Sequence, residues 1–242
     1  MNLIVDVGNT FVKFAVFNDE ELVYKVSFEL SELKKQYKML KKEFPKLKKA
    51  MISSVGSLSK DQIRVIDKDL KTLELNHKTK QPFKNLYKTP QTLGVDRIAL
   101  VSASISQFPN NNVLIIDAGT CITYDFVTNK NEYLGGAISP GIRLRYHTLH
   151  NLTANLPLLE KCQPKTIIGD STESSMHSGV VMGVVKEIDG VIDQYREKHQ
   201  DLTVILTGGD ANFLSNQLKN SIFANSNFLL EGLNFILDFN SK

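Results

Sequence analysis

The chain has 242 residues, enough for one large domain or two small ones. With 42% hydrophobic residues, 23% charged residues and a net charge of +3, its composition is that of an ordinary globular protein and makes no electrostatic case for nucleic acid. No apolar run approaches the ~20 residues of a membrane span, Cys121 and Cys162 offer neither metal spacing nor a disulfide framework, and no signal peptide precedes the first strand, so a reduced cytoplasmic protein is expected.

The first stretch, Leu3-Ile4-Val5-Asp6-Val7-Gly8-Asn9-Thr10, reads as a buried strand ending in an acid and a close turn. A second strand, Thr10 to Phe17, leaves that turn with Lys13 on it. Such a hairpin can hold a nucleotide's phosphates. Amides and hydroxyls donate to phosphate oxygens, Lys13 adds positive charge, and Asp6 holds a metal through water. A third strand follows at Glu21–Phe28, after a turn at Asn18-Asp19-Glu20. Ser31 opens a helix with Leu33, Tyr37, Leu40 and Phe44 on one face, and Pro45 ends it. The opposite face carries Lys34, Lys35, Lys38, Lys41 and Lys42, without interleaved arginine or glycine. That is a solvated face rather than a nucleic-acid patch.

Strand 50–55, helix 58–70 and strand 72–75 complete a βββαβαβ unit. Residues 77–93 show no clear period. A helix is expected from Arg97 to Gln107, with Ile98, Val101 and Ile105 inward. Gly94 and Asp96 then stand at a helix start, where backbone N–H groups are free. On those residues alone Asp96 could be an N-cap and Arg97 a surface residue. Residues 109–112 are the best linker, which divides the chain into 1–111 and 112–242.

The second half repeats the opening. Leu114-Ile115-Ile116-Asp117-Ala118-Gly119-Thr120 has the same apolar-Asp-x-Gly-polar pattern, followed by strands at 120–127 and 133–139. Gly135, Gly136 and Gly141 crowd the third strand, a sign of close approach by backbone or ligand. A helix is expected over 141–153. A longer one opens at Ser171 or Thr172 and runs to about His199, with Gly179 and Gly183 on one face. Strand 202–206, a helix with Phe213, Leu214 and Leu218, a strand at 228–230 and a helix over 231–239 close the chain. His147 and His150 lack a third ligand for a metal. Cys121 lacks a neighbouring His or acid to activate it and reads as a small buried residue.

Two such hairpins facing one cleft are the plan of the superfamily of actin, the sugar kinases and the heat-shock chaperone ATPases. The expected fold is therefore α/β, with two ribonuclease-H-like domains, each a βββαβαβ-type unit, and a nucleotide cleft between them. More narrowly, the chain resembles type III pantothenate kinase. The matching stretches are Asp6-Val7-Gly8-Asn9-Thr10 with Lys13, Tyr87-x-x-Pro90, Gly94-Val95-Asp96-Arg97 and Asp117-Ala118-Gly119-Thr120. They continue with residues 135–141, Ser171-Thr172 leading to Ser178-Gly179, and Thr207-Gly208-Gly209-Asp210. The set runs in family order over nearly the whole chain. Cys121 departs from it, standing where family members usually have alanine.

The resemblance implies that Asp6, Val7, Gly8, Asn9, Thr10, Phe11, Val12, Lys13 and Thr120 bind ATP. It implies that Asp117 binds potassium or ammonium and that Asp96 is the catalytic base. Tyr87, Gly94, Val95, Asp96, Arg97 and Thr172 would contact pantothenate, and the family is homodimeric. Magnesium would accompany ATP, with Asp6 reaching it through water. The residues themselves fit this chemistry. An aspartate can orient a hydroxyl and take its proton, a guanidinium matches a carboxylate, and Tyr87 can pack on the substrate or simply on its neighbours. Two other readings stay open: a kinase of another hydroxylated acid or sugar, and a nucleotide-binding regulator without turnover.

Overall fold

The computed structural model describes residues 1–8, 11–54 and 58–241. In chain order the elements are β1 (Asn2–Val7), β2 (Val12–Asn18), β3 (Glu21–Phe28), α1 (Leu33–Glu43), β4 (Lys49–Ser54), α2 (Lys60–Asp67), β5 (Lys71–Glu74), β6 (Lys84–Asn85) and α3 (Val95–Gln107). They continue with β7 (Val113–Ala118), β8 (Cys121–Val127), β9 (Glu132–Pro140), α4 (Ile142–Asn151), α5 (Thr172–His177), α6 (Gly183–Lys198), β10 (Thr203–Thr207), α7 (Ala211–Ser215), β11 (Phe223–Ala224) and α8 (Phe228–Phe239). Asn9, Thr10 and the expected strand end at Val55 lie outside the described residues.

The described residues form two compact units. One comprises Met1–Pro109, Asn131–Tyr133 and Asn227–Lys242; the other comprises Asn110–Lys130 and Leu134–Ser226. In the first unit the strands lie in the order β3-β2-β1-β4-β5. β1 is antiparallel to β2 and parallel to β4. Its core joins Leu3, Val5 and Phe14 of the sheet to Leu33, Tyr37 and Leu40 of α1 and to Ile66 of α2. The exposed Lys34, Lys35, Lys38 and Lys42 leave this apolar stripe to do the packing. Ser59 caps α2 in a reciprocal box with Gln62.

Helix α3 is buried nearly all round, from Arg97 to Ser104. It packs on α8, and the closest approach is at Gly232, where a Cβ would stand 2.0 Å from the Ala99 carbonyl oxygen. The expected strand at 228–230 is therefore the first turn of α8. Phe228, Leu230, Leu233, Ile236 and Leu237 are all buried at helical spacing. A run of three apolar residues cannot distinguish the two periods; the residues after it decide. The strand before it is the short β11.

In the second unit the strands β9-β8-β7-β10-β11 repeat the first order. β7 is antiparallel to β8 and parallel to β10, as β1 is to β2 and β4. Its core runs from Leu114 and Ile116 through Tyr124 and Phe126 to Tyr146, Val184 and Ile188. The short β6 pairs with Glu132 and Tyr133, two residues that cluster with the first unit.

The long helix from Ser171 is capped by that residue, whose hydroxyl accepts from the Ser174 N–H. Between α5 and α6 the stretch Ser178–Met182 is π-helical. That change of pitch separates the surroundings of Gly179 and Gly183. A Cβ on Gly179 would meet nothing within 4 Å, whereas one on Gly183 would meet the Arg145 guanidinium at 3.7 Å.

Candidate active site

Asp6 ends β1, and the strand register sets Lys13 directly opposite it. Lys13 Nζ donates to Asp6 Oδ2 at 3.3 Å. Asp6 is 7% exposed. Burial pushes its carboxyl above the usual range, the Lys13 charge and hydrogen bond pull the other way, and the Asp96 carboxylate adds a smaller upward push. On its other side Asp6 pairs with Ser53, whose hydroxyl is buried and makes no hydrogen bond. A buried oxygen left in that state fits a polar ligand at the same place. The Gly8 N–H donates to the Phe11 carbonyl at 3.0 Å, and Phe11 itself is 51% exposed.

Asp96 lies in the first turn of α3, and the N-cap position is Gly94. Its Oδ1 accepts the Arg97 N–H at 2.8 Å. A Cβ on Gly94 would stand 2.3 Å from that same oxygen. The capping role open to Asp96 in the sequence is therefore not the one it fills. Arg97 is buried at 5% exposure, not a surface residue. Its guanidinium lies over the Tyr87 ring at 5.6 Å, and Tyr87 stacks on Tyr133 at 6.0 Å. Tyr87, Gly94, Val95, Asp96 and Arg97 are thus grouped in the first unit with Asp6, Val7, Gly8, Val12 and Lys13.

The second unit holds Asp117, Thr120 and Thr172. Asp117 pairs with Thr123 across β8 and with Thr207 across β10. Thr123 Oγ1 is buried and makes no hydrogen bond, so an oxygen donor stands ready beside the carboxylate. Gly208 has φ +95°, and a Cβ there would stand 2.4 Å from both Asp117 Oδ1 and the Ala118 carbonyl oxygen. Gly141 N–H donates to Thr120 O at 3.0 Å. A Cβ on Gly141 would be 2.1 Å from the Gly119 oxygen. Gly141 and Gly208 let backbone close on the Asp117 turn, whereas Gly136 closes on β8, where a Cβ would stand 1.5 Å from the Tyr124 carbonyl oxygen. Thr172 lines a separate cavity of about 970 Å³ with Pro140, Arg145 and Met176. Neither Asp117 nor Thr120 lines that cavity.

Among the described residues no group of three or more His, Cys, Asp or Glu side chains stands together. A divalent ion at Asp6 would keep waters and rely on substrate phosphates, as magnesium does. Cys121 is exposed, not a small buried residue, because β8 begins there, directly after the turn of the hairpin. Sequence reading missed Ser53, Thr123, and a cluster of Tyr124, Arg145 and Glu187. Nothing in their spacing marks them; only the strand register and a helix–helix approach bring them in.

The family model of type III pantothenate kinase matches residues 2–194. This chain belongs to the type III pantothenate kinase family. A type III pantothenate kinase of Christiangramia forsetii is 53% identical over 240 residues, covering 99% of both chains. One from Flavobacterium johnsoniae is 52% identical over 233 residues, covering 96% of both. One from Bacteroides fragilis is 39% identical over 242 residues, covering 100% of this chain and 99% of its own. Among solved structures, a conserved Baf family protein from Campylobacter jejuni superposes with a TM-score of 0.65 at 21% identity, covering 99% of this chain and 98% of its own. A ROK hexokinase from Thermus thermophilus superposes with a TM-score of 0.51 at 11% identity, covering 99% of both. At those identities the likeness concerns the fold, which is that of the sugar kinases. The kinase is a mixed α/β protein with two sheets, and no helix among its described residues is long and apolar enough to cross a membrane.

Proposed function

We propose that this kinase transfers the γ-phosphoryl group of ATP to the primary hydroxyl of pantothenate, giving 4'-phosphopantothenate, the first step of coenzyme A biosynthesis. The carrying observation is that the Asp6–Lys13 pair at the end of β1 and the start of α3, with Asp96 and the buried Arg97 over Tyr87, belong to one compact unit. A carboxylate that is not the N-cap of α3, and whose Oδ1 accepts the Arg97 N–H, shares one compact unit with the hairpin suited to phosphates. Phosphoryl transfer asks for an aligned hydroxyl and for neutralised charge. Asp96 orients the hydroxyl and accepts its proton. Lys13 and the backbone of residues 6–13 hold phosphate oxygens, with Thr120 contributing from the second hairpin. Tyr87 and Arg97, stacked on one another, form the wall for pantothenate, Arg97 supplying the charge complementary to its carboxylate. Gly94 and Val95 let the substrate approach the start of α3, and Thr172 is assigned to pantothenate by the family resemblance.

Asp6 would hold magnesium through water, with Ser53 as a further oxygen. Asp117 would hold potassium or ammonium, with Thr123 as a neighbouring oxygen. Bound there, these ions supply positive charge to the phosphates. The protein works in the cytoplasm as a homodimer. Gly179, exposed and with open space before it, is a point at which a second copy can approach closely. Light scattering at micromolar concentration should give twice the chain mass; a fully active monomer would sink this assembly.

The function is tested by incubating the purified protein with ATP, magnesium and potassium against a panel of pantothenate, sugars and hydroxy acids. Mass spectrometry should find the phosphoryl group on pantothenate, with the other acceptors far behind. Faster phosphorylation of a sugar would overturn the assignment, and no phosphorylation of any acceptor would favour a regulator.

A further inference from the structure

Three side chains outside the reaction scheme above form a charged network inside the second unit. Glu187 of α6 accepts from Tyr124 Oη at 2.8 Å and forms an ion pair with Arg145 of α4. Arg145 also donates to one short segment: Nε to Pro140 O at 2.9 Å and Nη2, the nitrogen that faces Glu187, to Ser139 Oγ at 3.2 Å. Burial works to raise the Glu187 carboxyl, but the bonds from Arg145, Tyr124 and Ser139 outweigh it and hold the group below its usual range. It is therefore a carboxylate throughout the physiological range.

The segment gripped by Arg145 runs straight into Gly141. Gly141 N–H donates to Thr120 O at 3.0 Å, and a Cβ there would stand 2.1 Å from the Gly119 oxygen and 2.6 Å from the Thr120 oxygen. The other end of the network, Tyr124, sits on β8 four residues after Thr120, in register with Ile116 of β7. Network and turn therefore form one closed ring: turn, β8, Tyr124, Glu187, Arg145, Pro140, Gly141 and back to the turn. The hairpin turn is exposed at Thr120, and the ring reaches its carbonyls from one side through the Gly141 backbone and continues into β8 on the other.

We propose that Arg145, oriented by Glu187 and Tyr124, is a positioning residue that fixes the Gly119-Thr120 turn for the nucleotide. The proposal rests on the reading that Thr120 contacts ATP. Arg145 also lines the cavity that contains Thr172, so its rival role is direct contact with pantothenate. The two roles move different constants. A loosened turn weakens the nucleotide and leaves the pantothenate KM in place; a lost substrate contact does the reverse.

The variants are Glu187→Gln, Arg145→Lys and Tyr124→Phe, which keep shape and delete charge, fork geometry and one hydroxyl in turn. Each is measured for KM of both substrates, kcat and ADP affinity by calorimetry, with thermal melting as the check on folding. Thr120→Val is measured beside them. Hydrogen bonds to charged groups are the strong ones, so Glu187→Gln and Arg145→Lys should raise the ATP KM and the ADP Kd by about 10- to 100-fold. Tyr124→Phe should raise both by a smaller factor, and the pantothenate KM should stay within about twofold. If Thr120→Val weakens ADP while Glu187→Gln and Arg145→Lys do not, the positioning role is wrong and the nucleotide site stands. If none of these variants moves ADP affinity, the nucleotide reading of the turn fails as well. A rise confined to the pantothenate KM assigns Arg145 to the substrate and overturns the proposal.

Discussion

Lys13 stands across from Asp6 in the first hairpin, and Thr123 stands across from Asp117 in the second. Residues 8–11 separate the paired Val7 and Val12, whereas only 119–121 separate Ala118 and Ile122, so the second turn is shorter by one residue. The surroundings differ as well. Among the described residues a Cβ on Gly8 would reach only the Phe11 carbonyl, at 3.4 Å, but Gly141 and Gly208 close on the second turn from other elements. One sequence pattern on one strand order thus gives a hairpin that carries its own cation and a hairpin that is buttressed by backbone. The comparison teaches that one pattern places its two aspartates in different surroundings. Asp6 is part of a charged pair, and Asp117 faces Thr123 with the Gly208 backbone closed against it.

Asp96→Asn leaves both hairpins in place and has the largest expected effect. A lost general base lowers turnover by roughly 10²–10⁴-fold. Because Asp96 is not the cap of α3, melting temperature and ATP binding should stay near native. Retained turnover would move the base elsewhere and remove the reason for placing the first hairpin at the reaction centre.

Alanine at the two kinds of glycine breaks the comparison on stability. Gly208→Ala adds a left-handed backbone penalty to overpacking against Ala118 and Asp117, a loss of about 2–4 kcal/mol. Gly8→Ala, with room for a methyl group, should change stability by less than about 1 kcal/mol. Urea denaturation of the two variants measures the difference; equal losses would mean that the second turn is no more closely packed than the first.

Asp6→Asn has the smallest and most specific effect. The folded-state pKa of Asp6 is raised above 3.8, chiefly by burial and despite Lys13. The ionised carboxylate therefore costs the folded state free energy at any pH above that raised value. Asparagine removes the cost, so the variant should melt higher than wild type near neutral pH while losing activity. The gain should shrink as pH falls through the folded pKa and vanish below about 3.8. Melting curves across that range check the sign. A variant less stable at neutral pH would mean that the Lys13 pair outweighs burial.

The repeated hairpins and the strands that follow them were legible because period, acid and glycine coincide at Asp6-Val7-Gly8 and Asp117-Ala118-Gly119. The start of α3 was legible to within two residues. Position 228 was not, because three apolar residues fit strand and helix alike and only packing against α3 decides. The burial of Arg97 was hidden for a different reason. A charged residue reads as exposed until an aromatic partner is found for it, and Tyr87 stands ten residues away in an irregular segment. Cys121 was misjudged because burial follows position at a strand mouth, not residue type. Ser53 and Thr123 could not be found at all before the register was known, since their meaning lies in which aspartate each faces.

The division of labour between Asp6 and Asp117 is tested most directly by the rate of ADP release as potassium replaces sodium at constant ionic strength, in wild type and in Asp117→Asn. Wild type should be nearly inactive in sodium alone and rise saturably with potassium or ammonium. Asp117→Asn should lose that response or lose turnover altogether. Full wild-type activity in sodium-only buffer, or an unchanged potassium response in the variant, would contradict the account.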